Sequence, residues 1–539
     1  MALEDPAFPA FHLIRENRPD RLPGKHWHDV TYYVTMCDRA LRWGRAGTLL
    51  CGVIDERPSP AVLQRIAERA MRERGIEPDF TPAALREAAA LDERAPAAAE
   101  VRDRRDLPWC SIDNADTRDL DQLTVAEMLP GGGTRMFVAI ADVAALVPQH
   151  SAIDARAEQN TTSVYTVAKT FPMLPERLST NLTSLNLGVD RRAILVIIDF
   201  AADGTVRRAD IEQALVHNRA RLNYDDVAAW LEGAAAAPAD LTAVPGLAEN
   251  LRWQDAMARQ TRARRFTRGA LTFETIQAKP VFTGGELRDL APERPNRAKQ
   301  LIEDVMIAAN GATAEFLAAR RYASLRRIVR APKRWDRIVA LAAGHGTQLP
   351  DTPDARALEG FLRQAQARSP EQFPELSLTV IKLMGAGEYA LEVPGEEPIG
   401  HFGLAVRDYA HSTAPNRRFP DLITQRLLKA ALARAPSPYS RDELARLAAH
   451  CTEQEDDARK VERQVAKSAA AMLLQPRIGA EFDALVTGAS EKGTWVRLFR
   501  PVVEGRLVRG FAGRQVGERM RVRLLHTDVE RGFLDFAAV

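Results

Sequence analysis

Cysteine is scarce, with only Cys37, Cys51, Cys110 and Cys451 in 539 residues and none at Cys-x-x-Cys spacing. That excludes a disulfide framework and a cysteine-built zinc site, and matches the usage of a reduced intracellular chain. No apolar run reaches the roughly 18 residues that a membrane-spanning helix needs. The opening Met1-Ala2-Leu3-Glu4-Asp5-Pro6 lacks a basic segment followed by an apolar one, so no secretory signal is expected and a cytoplasmic location is. Net charge of one sign is nearly absent, at +2. Any nucleic-acid surface must therefore be a local basic lining. Such balance suits an enzyme of metabolites equally well, so composition decides nothing between them. Hydrophobic residues at 46% and charged residues at 27% are ordinary for a globular protein, and the length calls for about three domains.

What is abundant, locally, is aspartate. Asp113, Asp116, Asp119 and Asp121 fall within one short stretch. The lead-in Leu107 to Ile112 reads as a strand that ends at Asp113, and Asn114 to Arg118 reads as a loop. Asp119 and Asp121 are two apart, so an extended segment turns both to one side. Asp113, Asp119 and Asp121 can then converge, and three converging carboxylates need a hard cation to offset their repulsion. A polar surface loop is an equally fair reading of this stretch alone. Thr134 to Val143 reads as a further strand, ending in Asp142.

These blocks carry a resemblance. Ile112-Asp113, Asp119-Leu120-Asp121, Val138-Ala139-Ile140-Ala141-Asp142-Val143, Met173-Leu174-Pro175, His401-Phe402-Gly403-Leu404 and Thr413 to Leu422 occur in an order that resembles the catalytic domain of the ribonuclease II and ribonuclease R exoribonucleases. The resemblance implies an α+β multidomain chain with three parts. Residues 1–100 depart from the family, which usually carries two cold-shock barrels there: they read as a mainly helical module, with a helix-turn-helix that binds nucleic acid and a packing or oligomerisation cap as equally fair forms. Residues 101–475 form the mixed α+β catalytic domain. Residues 476–539, with five short strand signals and three more basic than acidic side chains, resemble an S1-type OB barrel.

The resemblance further implies a magnesium-dependent, processive 3′-to-5′ exoribonuclease. It would act as a monomer on single-stranded RNA and release nucleoside 5′-monophosphates, with one or two ions and manganese as a substitute. Asp113, Asp119 and Asp121 are the expected metal ligands, and Asp116 and Gln122 are further candidates. Gln122 stands where the family usually has another aspartate. A neutral amide is a weaker ligand and no base, so a catalytically weak RNA-binding protein of the same fold is the alternative. Asp121, Arg417 and Glu462 are the expected catalytic residues. Arg417 would clamp the phosphate, or, on the plainer reading, pair with Asp421. Tyr165, Tyr224, Glu303 and Arg418 are expected to contact RNA, with Tyr224 and Glu303 reading the ribose 2′-hydroxyl. Trp495 is the expected stacking aromatic of the barrel, in preference to Phe482. The charged block Glu453 to Arg463 is read as a solvated helix face.

Overall fold

Strand Gly133–Ala141 alternates two apolar sets: Met136, Val138 and Ile140 face one way, and Phe137, Ala139 and Ala141 the other. Both sets are buried, which makes this a central strand covered on both faces. The computed structural model describes residues 60–92, 101–283, 286–293, 296–491 and 493–539. Around this strand a seven-stranded sheet runs in the order Arg102–Asp103, Val206–His217, Asp190–Phe200, Gly133–Ala141, Gln122–Leu129, Cys110–Asp113, Ala220–Asn223. Most pairings are antiparallel; the two edge strands join in parallel. On one face Trp109 meets Phe137 edge to face, with ring centroids 6.5 Å apart. Helices Leu247–Thr267, Arg297–Ala319 and Phe419–Leu432 cover the other face and join its core.

The helical spacing from Pro60 gives helix Pro60–Arg72, and Val62, Leu63, Ile66, Ala67 and Ala70 are all buried. Thr81 caps Pro82–Ala90 by accepting from the Ala84 amide at 3.1 Å. Leu85 lies on that helix and is half exposed. The aromatic and histidine-rich stretch 1–50, with His26, His28 and the helix expected over Val30 to Trp43, lies outside the described residues. The segment Gly269 to Glu274, expected as strand, is irregular, and the strand begins at Gln277. The amides of Thr272 and Glu274 go to the side chains of Glu359 and Ser377 instead of to a neighbouring strand.

The 34-residue helix Arg441–Leu474 links the two cores. Its last turns deliver Ala470, Ala471 and Leu474 into the C-terminal barrel, beside Phe482, Val486, Val522, Leu524 and Phe536. The five barrel strands, expected from the change of period after Pro476, close in the order Glu481–Ser490, Gly493–Leu498, Glu504–Arg509, Phe533–Ala538, Arg519–Asp528. Among the described residues, no helix is long and apolar enough to cross a membrane.

Candidate active site

Loop Thr413 to Arg418 leads into helix Phe419–Leu432, and Asp421 in its first turn folds the loop back. The Asp421 carboxylate accepts from the Ala414 amide at 2.8 Å and from Arg418 Nε and Nη2, both at 2.8 Å. Arg418, not Arg417, thus takes Asp421, which frees Arg417 for Asp121. Arg417 Nε donates to Asp121 Oδ2 at 2.6 Å and stands 3.9 Å from Asp119. Asn416 completes the clamp: its amide and its Nδ2 donate to Asp121 Oδ1 at 3.1 and 2.9 Å. Its own Oδ1 accepts from Thr183 Oγ1 at 2.6 Å. This part of Asn416 was not foreseen. Its place directly before the arginine is the only sign the sequence carries.

The same loop fixes Tyr165. The Ser163 amide donates to the Arg417 carbonyl and the Phe419 amide to the Thr161 carbonyl, so residues 161–165 lie against the loop. Glu462 accepts from the Tyr165 amide at 2.8 Å. Glu462 was expected to orient Arg417 or meet a ribose; its observed contact makes it a positioning residue for Tyr165. With Glu455 and Arg459 it also shows that the charged block on the long helix is not simply a solvated face.

These groups open on a cavity of about 470 Å³ lined by Gln122, Tyr165, Tyr224, Glu303, Arg417 and Glu462, among others. Tyr224 and Glu303 both reach it, as expected of a pair, although the Glu303 carboxylate also takes Arg262 Nη2 at 2.5 Å. Arg418 lines the same wall. Asp142 does not take part: it pairs with Lys429 at 2.8 Å and caps a short turn. Asp116 is exposed on the turn after Asp113; of the five expected ligands only Gln122 lines the cavity, and Asp113, Asp116, Asp119 and Asp121 are not among its lining residues. Trp495 lies on the barrel, half-buried, with its ring 3.4 Å from where a Cβ on Gly488 would stand. Phe482 is barrel core under the Arg477 guanidinium.

Charge is concentrated here. Burial pushes the Asp121 carboxyl up to about 6, Arg417 draws it back, and Asp119 adds to the rise. Burial likewise raises Asp119. Burial works against the charge on Arg417, yet Asp121, Tyr165, Asp119 and Asp113 hold it well above its ordinary range. His401 is driven down to about 4 by burial and stays a neutral, structural ring that accepts from the Leu404 amide.

Whether these groups suit a divalent cation can be tested on the donors. Three carboxylates act on one guanidinium, so the local charge is negative and the free oxygens are of the hard type. Chemistry and charge fit. The expected convergence on one point is not met, however: among the described residues no three acidic, histidine or cysteine groups surround a shared position. The reason is local. Asp121 is committed to Arg417 and Asn416, and Asp113 Oδ1 accepts from the Asn114 amide and Thr117 Oγ1 at 2.8 and 2.9 Å.

A mixed α+β domain with a carboxylate–guanidinium cavity, joined to a closed five-stranded barrel, defines the class. Residues 101–434 match the RNB domain and residues 480–539 the RNase II-type exonuclease C-terminal S1 domain. The chain belongs to the RNB-domain family. It is 29% identical to Ribonuclease R 1 of Lactococcus lactis over 78% of this chain and 52% of that protein. Ribonuclease R of Escherichia coli is also 29% identical, over 97% of this chain and 67% of that protein. The chain thus spans between half and two thirds of these relatives. The fold is similar to Mycoplasma genitalium RNase R solved with ribose-methylated single-stranded RNA, with a TM-score of 0.80 at 22% identity, covering 88% of this chain and 78% of that one.

Proposed function

We propose that this protein is a magnesium-dependent 3′-to-5′ exoribonuclease that hydrolyses single-stranded RNA to nucleoside 5′-monophosphates. The observation that carries the reading is the Arg417 guanidinium on the wall of the cavity, held by the buried Asp121, which Asn416 also binds. Asp121 fixes the guanidinium through Nε, and the planar fork stabilises negative charge developing on a transferring phosphoryl group. Tyr165, set by Glu462, offers a ring to the terminal base. Tyr224 and Glu303 offer a hydroxyl and a carboxylate to a ribose 2′-hydroxyl. Asp113, Asp119 and Asp121 would hold the magnesium, and Gln122 would contribute only a neutral oxygen. The bound cation would supply an activated water and stabilise the leaving oxygen.

Labelled single-stranded oligoribonucleotide incubated with magnesium tests the reading. The expected products are mononucleotides, with the matching oligodeoxyribonucleotide left intact. Gln122, buried at the cavity wall where the family usually has an acid, favours one second reading, a catalytically weak RNA binder. Retention of the strand without cleavage would establish that reading in place of the first.

The raised Asp121 carboxyl sets a pH dependence. In the metal-free protein a cation must displace that proton, so magnesium affinity should climb with pH and level off above about 6, well above the ordinary carboxylate value of 3.8. A magnesium affinity that stays flat down to pH 4.5 would remove Asp121 from the ligand set.

A further inference from the structure

A second concavity, of about 650 Å³, lies on the other side of the long helix from the cavity, between helix Pro60–Arg72 and the C-terminal barrel. Its lining gathers Arg69, Arg74, Lys460, Arg463, Lys467 and Arg531 against only Glu73 and Glu530. In a chain of net charge +2 this is a marked local excess. Three parts of the fold build it. Lys460, Arg463, Gln464 and Lys467 follow one another at i, i+3, i+4 and i+7 on one helix face. The first helix is held to that face by Arg74 donating to Gln464, and to the barrel by Arg69 and Glu530 at 2.7 Å. The barrel turn comes so close that a Cβ on Gly532, at φ +68°, would stand 2.6 Å from the Lys467 Cβ. Among the described residues, Arg74, Arg463 and Lys467 form no ion pair. Phe533, 55% exposed, supplies an aromatic face at the rim. Glu455, Arg459 and Glu462 of the same helix line the catalytic cavity.

We infer that this groove is a track for the phosphate backbone of a single-stranded polynucleotide, holding the 5′-ward part of a strand whose 3′ end occupies the cavity. It rests on the proposed function for the direction of the strand. Three cations without an ion pair, beside Arg69, Lys460 and Arg531 paired with Glu530, Asp457 and Asp528, suit any polyanion. The exposed phenyl ring, a stacking face for a base, and the shared helix favour a nucleic acid over an acidic protein.

The test is equilibrium binding in EDTA, without turnover, of labelled single strands of about 20 and about 4 nucleotides, the shorter being near the smallest barrel site size. In Arg463→Gln/Lys467→Gln the long strand should bind roughly tenfold more weakly at low salt. The slope of log affinity against log salt should flatten by about 1.4, from about 0.7 per lost phosphate contact. The short strand should bind unchanged, and the charge-preserving Arg463→Lys/Lys467→Arg should restore the slope. Equal losses for both lengths, an unchanged slope, or polyglutamate binding as tightly as the long strand would each overturn the inference. Because no cleavage is involved, a wild-type protein that releases no nucleotide refutes the exoribonuclease reading and leaves this comparison to be judged by itself.

Discussion

Asp121→Asn should abolish mononucleotide release, by a factor of about a thousand or more, while oligoribonucleotide binding persists. The change keeps the shape of the side chain and removes its charge. One oxygen now serves the Asn416 donors and another the Arg417 Nε, both on a single carboxylate. An amide has one oxygen and one NH2, so either orientation sets a donor against a donor. Arg417 then loses its charged anchor, with Asp119, at 3.9 Å, and the fields of Asp113 and Tyr165 left around it. Stability should respond differently. A carboxyl raised from 3.8 to about 6 on folding contributes stability below its ordinary value, and that contribution is lost as pH rises through 6. The variant lacks this titration, so its melting temperature should fall less than that of the wild type between pH 4 and pH 7. Full nucleotide release by Asp121→Asn in magnesium buffer would sink both the ligand and the anchor assignments.

The parts of the fold that proved legible are those whose periodicity is imposed by burial. Strand Asp190–Phe200 reads from its apolar run, and helix Pro60–Arg72 from five apolar residues on one face, because packing against a neighbour demands those spacings. The strand pair Ser324–Ile328 with Glu388–Glu392 left no local trace, since its partners are some 60 residues apart and Arg326 and Arg327 interrupt the apolar pattern. Those arginines are buried on Glu392 and Glu455, a compensation visible only once the chain has folded.

The candidate site shows the same division. That Asp119 and Asp121 face one side followed from their separation, and both do approach Arg417. Which arginine meets which aspartate did not follow. Arg417 and Arg418 are adjacent, and the choice is made by Asp421 at the start of a helix pulling the second one back. The aspartate cluster was read as a point of convergence because sequence spacing carries direction but not hydrogen-bond competition. Asn416 takes an oxygen of Asp121, and Asn114 and Thr117 take one of Asp113. Asp142, in a block that carried the family resemblance, turned out to be a cap tied to Lys429.

Arg417→Lys carries the other large effect, a loss in kcat of about a hundredfold to a thousandfold with a smaller change in the affinity for RNA. Both side chains carry one positive charge, so a site that needed only a counter-ion to Asp121 would tolerate the exchange. The geometry argues that it needs more. Arg417 spends its Nε on Asp121 and keeps the rest of a planar fork at the wall of the cavity. An ammonium is a compact point charge on a flexible stem. Placed between Asp121 and Asp119 it would settle on those carboxylates, leaving no rigid donor pair aimed at a phosphate. Binding of the strand upstream draws on other groups and should largely survive. Single-turnover cleavage of a saturating oligoribonucleotide, set beside its dissociation constant in EDTA, separates the two contributions. A loss confined to binding, with the cleavage rate intact, would reduce Arg417 to an electrostatic partner of the aspartates and move the stabilisation of the reacting phosphate to another cation of the cavity, with Arg418 the nearest in sequence.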